Sequence, residues 1–305
     1  MSWREGSVAA DSTFVCCLTH DVDRPYKTYQ AAYNLLTERD PSQLLEMLPN
    51  RNAYWTFEEI QELESDLDVR STWYFLDEQH ILRDRPVRDV FNPRAWQLYA
   101  GRYSLSDPRI QQLITRLDEN GWEVELHGSY ESYRDADLLE SEKETLESIL
   151  GHEVTGVRQH YLNLDWPTTW IKQREAGFMY DATPGSVTTS GFKHGYEPLR
   201  PFDDEFVVFP VTIMDTTLPD PAADWDTTWN QCEELLLEAR NNNAVMSLLW
   251  HPRYFSDDHP GFTRLYRRLI ERARELGAWI GPVGELYRSL NHTGPQMATS
   301  RIRES

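Results

Sequence analysis

Cysteine is scarce in this chain, with three in 305 residues: Cys16, Cys17 and Cys232. Their spacing fits neither a disulfide framework nor a thiolate metal site. Lysine is nearly as scarce, only Lys27, Lys143, Lys172 and Lys193 among 30 basic residues, against 50 acidic ones and a formal charge of −20. A surface that acidic repels nucleic acid and anionic membranes, so neither is expected as a partner. Excess carboxylate repels itself in dilute solution and is screened at high salt, which points to a salt-rich, halophilic cytoplasm. No stretch approaches the roughly 18 consecutive apolar residues of a membrane span, and residues 1–11 lack the apolar centre of a signal peptide. The expectation is therefore a cytoplasmic protein with no transmembrane segment. Internal repeats are also missing, which excludes a solenoid.

What is present is enough apolar material for a large core: 40% hydrophobic and 12% aromatic residues. One α/β domain accounts for the length. Strand-like runs fall at 14–19, 71–76, 122–127, 154–159, 206–213, 244–250 and 278–281, rich in β-branched and aromatic residues. Helical spacing links Ile110, Leu113, Ile114 and Leu117 and stops at Asn120-Gly121. Further helices are expected over 138–150, 167–176 and 262–276, each followed by glycine. Strand–helix alternation implies a mainly parallel sheet. The catalytic unit should span 13–290, with a tail at 1–12 and a disordered tail at 291–305. Insertions at 24–68, partly helical around Tyr29, Tyr33 and Leu36, and at 83–106, irregular around Pro86 and Pro93, should overhang one rim.

Four segments each follow a strand-like run: Thr19-His20-Asp21-Val22-Asp23, His127-Gly128-Ser129-Tyr130-Glu131, Arg158-Gln159-His160-Tyr161 and Leu248-Leu249-Trp250-His251-Pro252. Strand C-termini of a parallel sheet converge on one rim, so these distant segments can meet there. Asp21 and Asp23 at one strand end can divide labour, one binding a cation while the other takes a proton from water. Alone, Asp-x-Asp equally fits a solvated turn. His127 suits a zinc-like ion or a structural role. Arg158 and His160, two apart, face the same side if the strand continues. His251 stands where a general acid could protonate a leaving group. Tyr26, Tyr130, Tyr161, Trp166 and Trp250 are either sugar-stacking faces or core.

In this order the four segments resemble the motifs of the polysaccharide deacetylase family, carbohydrate esterases with the nodulation-deacetylase barrel. The resemblance spans 14–290. It implies a distorted (β/α) barrel with a divalent metal at its rim, Zn2+ first and Co2+, Mn2+ or Ni2+ as alternatives. The implied reaction removes an acetyl or formyl group from the amino sugar of a polysaccharide or lipid-linked glycan. By the resemblance Asp21 is the catalytic base and Arg158 its partner. Val22 replaces the family's usual metal aspartate, so Asp23 becomes the ligand, as in the branch acting on lipid-linked aminoarabinose. His127 matches the first metal histidine. Glu131 occupies the second position, and His160, where the family has proline, is the rival and favoured third ligand. Asp181 matches the aspartate that orients the catalytic histidine, here His251, and a backbone N–H near Tyr161 would hold the oxyanion. Two other readings remain open: an Asp-x-Asp glycosyltransferase acting on a sugar nucleotide, and an inactive barrel that only binds glycan.

Overall fold

The computed structural model describes residues 7–27, 52–99 and 102–291. The helical reading around Tyr29, Tyr33 and Leu36 and the disorder expected after residue 291 lie outside the described residues. Nine strands form one sheet: β1 (Phe14–Val22), β2 (Thr72–Leu76), β3 (Glu123–Gly128), β4 (Gly156–Gln159), β5 (Tyr180–Asp181), β6 (Val207–Val208), β7 (Ile213–Met214), β8 (Val245–Leu249) and β9 (Ala278–Gly281). All their ladders are parallel, in the order β6-β5-β4-β3-β2-β1-β8-β7. β9 shares an edge of β1 with β2: it pairs with Phe14–Cys17, and β2 takes over from Thr19.

The run expected as one strand over 206–213 is two short strands at opposite ends of the sheet. Its first half pairs with β5 and its second with β8. The segment between them stays attached to both edges, the Phe209 N–H donating to the Asp181 carbonyl and the Thr212 N–H to the Ser247 carbonyl. One extended stretch thus bridges the gap in a curled sheet, which gives the distorted (β/α) barrel.

Along the described chain the helices are α1 (Phe57–Asp66), α2 (Pro93–Tyr99), α3 (Pro108–Glu119), α4 (Ala136–Leu150), α5 (Thr168–Glu175), α6 (Trp225–Asn241), α7 (Phe262–Glu275) and α8 (Val283–Asn291). Their ends follow local chemistry. The Asp107, Asp135 and Asp224 carboxylates accept first-turn N–H groups of α3, α4 and α6, and α4 stops where Gly151 takes φ 76°. In α7 the buried residues Phe262, Leu265, Tyr266, Leu269, Ile270 and Ala273 recur at helical spacing and pack on β1 and β8. Burying each large apolar side chain is worth about 1.5–3 kcal/mol, and this stripe clamps the helix to the sheet. None of these helices is long and apolar enough to cross a membrane.

β1 is buried over its whole length, as befits a parallel strand with a helical layer on one face and the barrel interior on the other. Phe14, Cys16 and Leu18 join the α6–α7 layer, while Val15 and Cys17 join an interior cluster with Tyr180, Val207 and Phe209. The same period of two continues along β1 and turns Thr19 and Asp21 inward. Residues 7–12, expected as tail, form turns with Ala9 fully buried in that interior cluster. The 83–106 insertion is less irregular than its prolines suggest, because Pro93 opens α2 instead of breaking a helix.

Candidate metal centre and active site

The inward residues of β1 meet β4 across the barrel. Arg158 is fully buried; its Nη1 donates to Thr19 Oγ1 at 2.8 Å and to Asp21 Oδ1 at 2.7 Å, and its Nε to the Ala182 carbonyl at 2.8 Å. Burial alone would raise the Asp21 carboxyl, but Arg158, His127 and His251 more than offset this and hold it below the usual range. Asp21 is thereby an ionised, oriented carboxylate whose second oxygen is 3.7 Å from His127 Nε2.

Asp23, His127 and His160 form the one group of metal-ligating type among the described residues, their candidate ligand atoms all within 4.8 Å of one another. His127 Nε2 is 3.2 Å and His160 Nε2 3.6 Å from Asp23 Oδ1. The opposite ring nitrogens are tied down: His127 Nδ1 donates to the Arg158 carbonyl at 2.8 Å, and His160 Nδ1 to Glu78 Oε2 at 3.2 Å. A carbonyl and a carboxylate only accept, so each Nδ1 carries the proton. In the neutral rings, both Nε2 lone pairs then face a carboxylate, an arrangement that repels unless a cation lies between. That is the donor chemistry of a divalent metal site with its outer hydrogen bonds in place. Burial lowers the His127 pKa but Asp21 and Asp23 outweigh it and raise it, whereas burial prevails at His160 and depresses it. Burial likewise raises Asp23, yet the three surrounding histidines hold it well below the usual carboxylate range.

Glu131, the rival ligand, is turned away. It accepts from the Tyr99 hydroxyl at 3.1 Å and pairs with Arg134 and Arg85, the first and last of these drawn from the 83–106 insertion. The insertion's arginine and tyrosine give this carboxylate partners outside the metal group.

Asp181 does not meet His251. Its carboxylate is buried under four donors: Trp170 Nε1 and Thr183 N on one oxygen, Gln173 Nε2 and Thr183 Oγ1 on the other. Burial raises its pKa, and those bonds only partly offset it. It pins the chain after β5, where Ala182 supports Arg158 and Thr183 Oγ1 accepts from the Gln159 N–H. The partner of His251 is Asp215, at the end of β7: both its oxygens lie 2.9 Å from His251 Nδ1, and one also accepts the His251 backbone N–H. Sequence reasoning missed Asp215 because the strand was read as ending at Ile213. A carboxylate directly after Ile213-Met214 is the same strand-end signal that marked Asp21. His251 Nε2 is left facing Asp23 Oδ2 at 3.5 Å.

A cavity of about 330 Å3 opens over Asp21, Asp23, His127, His160 and His251. Its wall includes Tyr161, 47% exposed, which with Leu162 adopts left-handed backbone angles (φ 60° and 55°). Two successive non-glycine residues there cost about 1–3 kcal/mol each, strain of the kind found beside functional sites. Among the other aromatics, Trp166 is 66% exposed and Tyr26 and Tyr130 are half-buried, but Trp250 is fully buried against Phe262 and Tyr266 and belongs to the core.

No family model matches the chain, and no curated protein matches it in sequence. Solved structures do match in three dimensions. One, from Mycobacterium smegmatis and assigned as a polysaccharide deacetylase, superposes with a TM-score of 0.59 at 17% identity, covering 92% of this chain and 91% of its own. Another so assigned, from Pseudomonas aeruginosa PAO1, gives 0.59 at 14% identity over 94% and 93%. The barrel described above is thus the fold seen in structures of polysaccharide deacetylases.

Proposed function

We propose that this protein is a metal-dependent hydrolase that removes an N-acyl group, acetyl or formyl, from an amino sugar of a polysaccharide or a lipid-linked glycan. The observation that carries the reading is one rim holding three units side by side: the Asp23–His127–His160 group, the Asp21–Arg158 pair and the His251–Asp215 pair. The first fits a divalent metal, zinc by its two imidazoles with cobalt, manganese or nickel as alternatives, and such an ion supplies Lewis-acid polarisation of the acyl carbonyl and a more acidic water.

The chain's own groups do the rest. Asp21, kept ionised by Arg158, accepts the proton of the attacking water. Tyr161 and Leu162, the strained turn, line the cavity wall, and we assign their backbone N–H groups as donors to a developing oxyanion. His251, with Nδ1 held by Asp215 and Nε2 beside Asp23 in the cavity lining, hands a proton from Nε2 to the departing amine. Each such proton transfer is worth about 10²–10⁴-fold. Asp21, His127, His160 and His251 are themselves buried, so their charges act at a lower effective dielectric than in water.

The test is release of acetate or formate from N-acylated amino sugars and their oligomers by the zinc-loaded protein. Chelation should abolish release and added zinc restore it. No release from any acetylated or formylated sugar, with metal bound and the protein folded, would reject the reading.

A further inference from the structure

The cavity's charge runs against that of the chain. Overall, 30 basic residues face 50 acidic ones, yet the cavity is lined by three arginines, Arg24, Arg102 and Arg253, against two aspartates, Asp21 and Asp23. Two of these guanidinia converge on Asp23 from different elements. Arg102 Nη1 donates to its carbonyl at 3.2 Å and Nε to the Leu98 carbonyl; Arg253 Nη1 is 3.6 Å from Asp23 Oδ2, with its plane over the Tyr254 ring. Among the described residues Arg102 has no carboxylate partner within ion-pair distance, its bonds going to backbone carbonyls. A guanidinium beside a dication weakens its binding unless an anion lies within reach, and the Asp23 carboxylate serves Arg253 alone among these two. A neutral glycan would call for several aromatic faces, but among the described residues Tyr161 is the one tyrosine, tryptophan or phenylalanine on this wall.

We infer that the substrate of this site carries an anionic group, a phosphate or a carboxylate, beside the amide, held by Arg102 and Arg253. This rests on the amide-hydrolase reading for where the amide lies, while the anion-binding claim rests on the arginines. Guanidinium forks match both oxyanions in planar, two-pronged geometry, and arginine cannot lose its charge at working pH.

The experiment uses the zinc-loaded full chain and three probes: N-acetylglucosamine, its 1-phosphate and N-acetylmuramic acid. Calorimetric dissociation constants should favour one or both anionic sugars by about 10- to 100-fold, the equivalent of one charge-assisted bond. Which of the two gains more identifies phosphate or carboxylate. Arg102→Gln should remove most of that advantage while leaving the neutral sugar and the zinc content unchanged, and Arg102→Lys should restore part of it; Arg253→Gln gives a second, independent loss. Equal affinity for all three probes, an advantage that survives Arg102→Gln, or a uniform loss that includes the neutral sugar would overturn the inference. Acetate release followed in parallel separates the two claims. Release without any anionic preference sinks this inference alone, whereas anionic preference without release from any sugar sinks the hydrolase reading alone.

Discussion

Asp215→Asn is the sharpest probe of the site, because it separates two carboxylates that sequence and structure rank differently. Asp215 serves two donors at once, the His251 ring Nδ1 and the His251 backbone N–H. Asparagine keeps the shape but has a single acceptor oxygen, so its NH2 must confront one of those donors. One charge-assisted bond is lost, worth about 1.5–3 kcal/mol. If the loss falls on the transition state, where His251 gives up its proton, kcat/KM should drop about 10- to 150-fold. Zinc content should not change, since Asp215 is outside the metal group. Asp181→Asn should do the reverse: it strands two of four buried donors, costs about 1–3 kcal/mol of stability, lowers Tm by several degrees, and leaves kcat/KM within a few-fold. The assay is acetate release beside thermal melts. Nitrogen-15 spectra of the imidazoles, in which the His251 Nδ1–H signal should be altered by Asp215→Asn alone, provide a readout independent of turnover. Equal rate losses in both variants, or a larger one in Asp181→Asn, would refute the assignment of Asp215 as the orienting carboxylate.

Other outcomes follow from the same geometry. Asp23→Ala, His127→Ala and His160→Ala should each lose bound zinc by elemental analysis, while Glu131→Ala keeps it; full occupancy in the His160 variant would remove it from the ligand set. Glu78→Gln, which weakens the anchor on His160 Nδ1, should lower zinc affinity about 10- to 100-fold. Glu64 is buried and would be raised by that burial, but His20, Tyr266 and Trp122 hold its carboxyl below the ordinary value. Its stabilising contribution is therefore complete above the unfolded value near about 4.3 and is lost as pH falls through the lower folded value. Glu64→Gln should destabilise at neutral pH and flatten the acid limb of a urea-midpoint profile, and an unchanged limb would show that other groups set it. With 50 acidic and 30 basic residues, Tm should climb between dilute buffer and molar KCl as the screening length shrinks from about 30 Å to about 3 Å; equal melting temperatures would reject the salt-rich habitat.

The sequence by itself determined the strand–helix alternation and the placing of Asp21, Asp23, His127, Arg158 and His251 at strand C-terminal ends, the first, third and fourth within the strands' last residues. These are local properties: apolar period, glycine stops and a polar residue where an apolar run ends. It also contained the arginine excess, but not its location, since nothing local says that Arg102 and Arg253 face one cavity. Partner choice belongs to tertiary structure. Asp181 and Asp215 look alike on paper, each a carboxylate closing a short apolar run. Only the curling of the sheet, which carries residues 207–214 from β5 round to β8, brings Asp215 against His251 and leaves Asp181 beneath Trp170 and Gln173. Between Glu131 and His160 the resemblance favoured His160, but their partners were not legible for the same reason. In the structure Tyr99 and Arg85 reach Glu131 from an insertion, and Glu78 holds the far side of His160. A residue's chemistry is written in its side chain, whereas its partner is set by which strands the barrel closure makes neighbours.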